Sequence, residues 1–397
     1  MQSDDLLRER AKFPILASTN YLISNSLGAM PASVRDSLAD YADTWATRGV
    51  RAWAEGWWTL PREVGDIIGG IINAGPREVG MHLNVTDAVM SFLSALDWSG
   101  PRNSLIVTDM NFPSLLYQYR GHEKRGLKVV QVESRDGIGI DTQQIIDAID
   151  DTTLLVAVDH VLFRSAFIQD AKAISDAAHA KGALVLLDAF QSVGTVPVDV
   201  KALGVDAAVG GALKWLCGGP GACWLWVNPD VAARLEPSHT GWMAHPDPFA
   251  FDIGPMQLRT DAYRFLSGTP NIPGLMSARP GIEIVARVGA EAIRAKSMRQ
   301  TALLIELARA KGFRVTAPER PEQRGGTVAI DVPDGKAVCQ ELIARDILVD
   351  YRPKAGVRIS PHFYTMDSEL EACIGEMDDI LKTRAHERHL KSTPKYG

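Results

Sequence analysis

The sequence predicts an α/β protein in which a mainly parallel, doubly wound sheet is covered by helices and followed by a smaller α+β unit. Three observations predict it. Short, largely apolar runs of strand length recur at 104–108, 127–132, 154–158, 183–187, 205–209 and 222–227, and 183–187 is rich in branched residues without the polar alternation of a half-exposed strand. Stretches with helical spacing fall between several of them, at 142–149 and 171–181, as β-α-β crossovers require. The 397 residues, 46% hydrophobic and 23% charged, are enough for a large core and two domains.

Composition excludes several classes of partner. A net charge of -6 with interspersed signs offers no basic patch for nucleic acid and no polybasic membrane anchor. No apolar run approaches the roughly 18 residues of a membrane helix, and the opening MQSDDLLRER lacks the apolar core of a signal peptide. Cys217, Cys223, Cys339 and Cys373 form no CxxC pair, so neither a disulfide framework nor a metal site is indicated and reduced thiols in the cytoplasm are expected. Small molecules are the expected partners.

In chain order, residues 1–12 read as a short polar helix or arm, and 21–28 (YLISNSLG) as a strand or loop closing in a turn, where Asn25 bonds readily to its own backbone. Val34, Leu38, Tyr41 and Trp45 give 31–45 helical spacing; the following run to 61 is dense in tryptophan and arginine, with Trp57 read equally as core packing or substrate contact. Val64, Ile67, Ile68 and Ile71 line one side of a helix over 61–74. Over 82–96 a short strand meets a helix at Thr86 and Asp87, a junction whose free N–H groups and dipole suit an anion, or which is merely an N-cap contributing about 1 kcal/mol. Phe112, beyond a strand and before a proline, is expected to be partly exposed to a crevice. The strand 154–158 ends in Asp159 and His160, with Arg164 and Ser165 in the loop beyond. A long helical region over 280–310 has a basic stretch at 294–299 read as a solvated face; strand, helix and strand are expected at 326–332, 341–346 and 347–350. A last helix spans 367–382, and the tail from 389 is expected to be disordered.

The chemistry concentrates in residues 183–227. The strand 183–187 runs into Asp188, and an acid at a strand's carboxyl end faces the ligand crevice. The strand 205–209 runs through Gly210 and Gly211 to Lys214, which precedes the GGPG turn at 218–221. Alone, the aspartate is commonly a helix cap and the lysine a solvated surface residue; together, at two strand ends, they fit pyridoxal 5'-phosphate. An aspartate beside the pyridine nitrogen keeps the ring protonated and able to accept carbanion charge, and a buried lysine of lowered pKa bonds the aldehyde.

With Asp188, Gln191 and Lys214 the segment resembles the class V aminotransferase group of these enzymes (Asp-x-x-Gln or Asp-x-x-His, then lysine before a Gly-rich turn), and over nearly the whole chain it is similar to the kynureninase family. The resemblance implies the PLP-dependent transferase fold: an arm and helix at 1–50 associated with the small domain, a large domain at 51–279 with a sheet of the seven-stranded type, and a small α+β domain at 280–397. It implies that Val85, Thr86 and the backbone of Asp87 hold the cofactor phosphate, that Phe112 of the FPS motif stacks on the ring, and that Trp242 of GWMAH approaches the phosphate. Asp159, Asp188, Gln191 and Lys214 complete the cofactor set, with Lys214 and Asp188 catalytic. Asn25 and Ser26 lie near the substrate entrance, Trp57 and Arg164 are further substrate candidates, and Arg358 of GVRISPHFY grips the α-carboxylate through paired hydrogen bonds. Thr269 of SGTP reaches the phosphate of a second subunit, which implies a homodimer with shared active sites. The implied reaction is hydrolytic Cβ–Cγ cleavage of kynurenine or a related amino acid, releasing alanine and an anthranilate; aminotransferase, lyase and epimerase chemistry share its first steps. The chain departs from the family at Gln191, Leu213 and Thr269, where kynureninases usually carry His, Tyr and Asn.

Overall fold

The computed structural model describes residues 4–390; of the tail expected to be disordered from 389, residues 391–397 lie outside the described residues, while His389 ends a short 3-10 helix, Ala385–His389. Seven strands form the main sheet: β1 (Val79–His82), β2 (Ser104–Thr108), β3 (Lys128–Val132), β4 (Thr153–Asp159), β5 (Leu184–Asp188), β6 (Ala207–Gly211) and β7 (Cys223–Val227). Their spatial order is β1-β7-β6-β5-β4-β2-β3, parallel except that β7 runs antiparallel to both β6 and β1. The short 212–222 connection is the reason, because a parallel return needs a crossover of a dozen residues or more. Absence of polar alternation is explained by packing on both faces: Val185 and Leu187 enter one apolar cluster while Leu186, between them, enters another.

A second sheet, β8 (Arg314–Val315), β9 (Val328–Asp331), β10 (Asp350–Arg352) and β11 (Gly356–Ile359), is antiparallel in the order β10-β11-β9-β8. Its own core contains Val328, Ile330, Val357 and Ile359 together with Leu342, Leu370 and Met377 from the helices Gly335–Ala344 and Asp367–Thr383. The N-terminal segment touches both units: Asn20–Tyr21 pairs in parallel with Ile347–Leu348, while the Gly28 N–H donates to the Leu213 carbonyl at 2.8 Å.

Three expectations change. The region 280–310 is not one helix but two, Ile272–Val288 and Ala290–Ala310, broken at Gly289, whose φ of 88° is left-handed and ends a right-handed helix. Residue 280 therefore falls inside the first helix. In the basic stretch, Arg294 and Lys296 are buried, because Arg294 donates to the Pro321 and Arg324 carbonyls and Lys296 to the Phe363 carbonyl while pairing with Asp4. The helix expected at 341–346 begins earlier, at Gly335, and the strand at 347–350 divides between two partners, the N-terminal segment and the second sheet. Among the described residues no helix is long and apolar enough to cross a membrane.

Candidate active site

The carboxyl ends of β4, β5 and β6 adjoin, and register pairs Asp159 with Asp188 across neighbouring strands. From the end of β6 the chain enters the irregular turn that carries Lys214, closed by Cys217 N–H to the Lys214 carbonyl (3.0 Å) and Gly218 N–H to the Ala212 carbonyl (2.8 Å). Gly28 packs flush against it: a Cβ there would lie 2.2 Å from the Lys214 carbonyl oxygen and 2.8 Å from Cys217 Cα. Both contacts are backbone, so neither yields by a rotamer change. Gly28→Ala is expected to cost roughly 1–3 kcal/mol in thermal unfolding, whereas parental stability would mean that the turn is not held from this side.

Lys214 opens onto the cavity but lies deep beneath the surface, its Nζ 4.3 Å from the centre of the Phe190 ring and 5.5 Å from that of Phe112. Burial lowers its pKa to about 8, against the opposing pull of Asp188. Asp188 accepts the Phe190 N–H at 2.9 Å, and burial raises its carboxyl to about 6. Asp159 accepts from the Phe112 N–H (3.0 Å) and Asn111 Nδ2 (2.7 Å), yet burial and the adjacent Asp188 push it well above the ordinary carboxylate range. Side by side in an apolar chamber, the two carboxyls together resist carrying two negative charges.

This charge arrangement sets how the cofactor-free chain responds to pH. Acids raised in the folded state contribute stability that is present below their unfolded pKa and lost as pH rises, for Asp188 between about 4 and 6. Asp159→Asn removes one member of the pair, so the cofactor-free variant is expected to lose less stability than the parent between pH 4 and 8. Parallel melting-temperature profiles would show the pair uncoupled.

These groups face a cavity of about 340 Å³, within the roughly 300–1,000 Å³ of small-ligand sites. Phe112, Val161, Phe163, Phe190 and Leu213 make its wall largely apolar, and Lys214 is the one cation among the lining residues. At the mouth stands the N-terminus of the helix Val85–Leu93, capped by Asn84, whose side chain accepts the Asp87 N–H at 2.8 Å. Of the donors expected here from the sequence, the Val85 N–H points to the Cys223 thiol and the Asp87 N–H to Asn84, so both are engaged within the chain and the N–H and hydroxyl of Thr86 remain. An acid pair, an amine, an aromatic wall and a helix N-terminus match, in chemistry and size, a pyridine aldehyde carrying a phosphate.

Of the other residues singled out by sequence, Gln191 is at the cavity, but its amide is engaged: Nε2 donates to the Asn25 carbonyl (3.0 Å) and Oε1 accepts the Trp215 indole N–H (2.9 Å). Asn25 is buried just behind it, and Ser26 lies in the adjoining turn. Arg164 lies over the Phe163 ring at 5.2 Å. Arg358 is buried and held by Asp350 through Nε (2.7 Å) and Nη2, and its Nη1 donates to the Phe163 carbonyl at 2.5 Å. Its charge reaches the site, since it helps to lower the pKa of Lys214. Trp57 stacks on Tyr41 at 5.3 Å in a separate groove beside Pro270, and Trp242 packs on Trp58 and Phe249 at 5.7 and 5.8 Å. Thr269 is exposed, and neither these last three nor Asn25, Ser26, Arg164 and Arg358 are among the residues that line the cavity. Sequence reasoning missed Asn84, Phe163, Phe190 and the partner Asp350; Phe190, between the two matched positions Asp188 and Gln191, was the most accessible of them.

Fold and site together define a pyridoxal-phosphate-dependent enzyme. The model of the aminotransferase class-V family matches residues 20–364, and the chain belongs to that family. Within it the chain is kynureninase-like: it is 30% identical to a kynureninase of Burkholderia pseudomallei over 398 residues (97% of this chain, 94% of the relative) and 30% identical to one of Pseudomonas fluorescens over 394 residues (95% and 93%). Its fold is similar to that of a cysteine desulfurase from Thermococcus onnurineus, with a TM-score of 0.84 at 24% identity over 95% of this chain and 98% of the other. The cysteine desulfurase CsdA of Escherichia coli gives 0.82 at 17% identity, with the same coverages of 95% and 98%.

Proposed function

We propose that the chain catalyses hydrolytic Cβ–Cγ cleavage of kynurenine or a related β-substituted L-amino acid, as a cytoplasmic homodimer with shared active sites. The observation that carries the reading is the amine of Lys214 facing an acid pair at adjoining strand ends, with the guanidinium of Arg358 in electrostatic reach. The cofactor, when bound, supplies an electron sink for carbanion charge at the substrate. Asp188, with Asp159 beside it, would hold the proton on the ring nitrogen. Lys214, with a pKa near 8, is able to hold or release a proton close to neutral pH and so to move the Cα proton. Arg358 fixes the carboxylate, while Phe112 and Phe190 exclude water from the amine. A dianionic phosphate and a substrate carboxylate at a wall with one lining cation favour help from a second copy, and the exposed Thr269 is the residue we assign to that role.

Leu213 favours a second reading, an aminotransferase, lyase or epimerase. With no tyrosine hydroxyl here, the titratable lining groups are Asp159, Asp188, Lys214 and Cys223, and proton delivery falls on Lys214. Desulfurase chemistry is disfavoured: all four cysteines are buried, and burial raises the thiols of Cys217, Cys223 and Cys339 to about 12. The test is product analysis with L-kynurenine, 3-hydroxykynurenine and a panel of amino acids, with and without a keto-acid acceptor. Alanine and an anthranilate formed without acceptor support the hydrolase; products that appear only with the acceptor replace it with the aminotransferase.

A further inference from the structure

The turn that carries Lys214 belongs to no helix or strand, so its shape depends on what grips it. Trp215, the next residue, is held at both ends. Its indole N–H donates to Gln191, and its carbonyl accepts from Nε2 of His362 at 2.8 Å. His362 comes from the other unit, three residues beyond the end of β11, and is buried with its ring edge-on to the Trp215 indole at 5.3 Å. A carbonyl oxygen can only accept, so Nε2 carries the ring proton; Nδ1, which meets no partner among the described residues, leaves the imidazole uncharged. Burial reinforces this by lowering its pKa to about 3.

The surroundings leave the Trp215 peptide little freedom. A Cβ on Gly194 would lie 2.7 Å from the same carbonyl oxygen, and one on Gly326 would lie 2.7 Å from the indole ring. The strand end supplying His362 also supplies Arg358, four residues earlier, bonded to the carbonyl of the cavity-lining Phe163, and Tyr364, whose hydroxyl meets Ser24 Oγ at 2.8 Å. One short run of the second unit thus touches the wall, the lysine turn and the N-terminal segment.

We propose that His362 is a positioning residue for Lys214, donating from the small unit to the peptide carbonyl beside the reactive lysine and so setting where the amine points. The same run that presents Arg358 to a carboxylate then governs the amine that must act on that molecule. This deepens the reading of Lys214 as the cofactor lysine and rests on it.

Three variants of the full chain test it. His362→Gln keeps an amide donor of similar reach, His362→Asn keeps a donor that is too short, and His362→Leu keeps none. In the cofactor-free chain, hydrogen exchange at the Cys217 and Gly218 amides is expected to quicken roughly 10- to 100-fold in the Asn and Leu variants and to stay within about threefold of the parent in Gln. With pyridoxal 5'-phosphate added, the rate of forming a borohydride-reducible linkage at Lys214 should follow the same order. A purely structural histidine would lower the melting temperature of all three without loosening the turn relative to the rest of the chain. Parental exchange at both amides in Asn and Leu, or a Gln variant as impaired as Leu, overturns the proposal. Should Leu fail to fold, the Gln and Asn pair decides it, and equal exchange and linkage rates in those two overturn it. A parent that forms no linkage refutes the role of Lys214 instead, and the exchange measurement still judges His362.

Discussion

Lys214→Ala is expected to abolish the covalent, borohydride-reducible cofactor linkage and to reduce turnover by at least 10²- to 10⁴-fold, roughly the contribution of one positioned proton-transfer group. Among the described residues no other lysine lines the cavity, so none of them is placed to take over the aldehyde. Folding should survive, because among the described residues the Lys214 amine hydrogen-bonds to none and rests against the Phe112 and Phe190 rings. The measurement is the visible spectrum together with mass analysis after borohydride reduction. A variant that keeps a reducible linkage at full stoichiometry would show that a different amine holds the cofactor.

Arg358→Lys is expected to raise KM for an α-carboxylate substrate by tens to thousands of fold, equivalent to roughly 2–5 kcal/mol, while the cofactor spectrum stays unchanged. Lysine offers a point charge where the planar fork makes paired bonds. Asp350 sharpens the expectation. It occupies the Nε and Nη2 edge of the guanidinium and the Phe163 carbonyl takes a bond from Nη1, so the group is held in place and a substrate carboxylate would have to meet its remaining Nη1–Nη2 end. An amine lacking the carboxylate should show little change between parent and variant. Equal KM values for the full amino acid would move carboxylate binding elsewhere, with Arg164 and Arg51 the next positions to test.

Much of this site was legible because its chemistry lies at strand ends, where sequence and topology coincide. Asp188 and Lys214 follow short runs that read as strands, and the sheet that those runs form brings their ends together. The helix at the mouth of the cavity was legible too, but the sequence puts its entry at Thr86 and Asp87, whereas the chain enters it at Val85 under an Asn84 cap. What escaped depends on contacts distant in sequence or on single backbone angles. Asp350 meets Arg358 only through the register of β10 against β11. Gly289 breaks a helix that its neighbours would continue. The burial of Arg294 and Lys296 is created by carbonyls 27 to 67 residues away, which no local pattern records. Trp57 was divided between packing and substrate contact; it stacks on Tyr41 and lines a groove apart from the lysine cavity.

The buried amine and acid pair also bear on the life of the protein in a cell. Without its cofactor the chain carries Lys214, Asp159 and Asp188 in an apolar chamber with no partner molecule to balance them, a standing cost to the folded form. A molecule that binds only that form adds RT ln(1 + [L]/Kd), about 2.7 kcal/mol at a hundredfold excess over Kd. Newly made chains are thus most exposed to proteases before loading, and the steady amount of this protein should rise and fall with the supply of vitamin B6 even where its synthesis is constant.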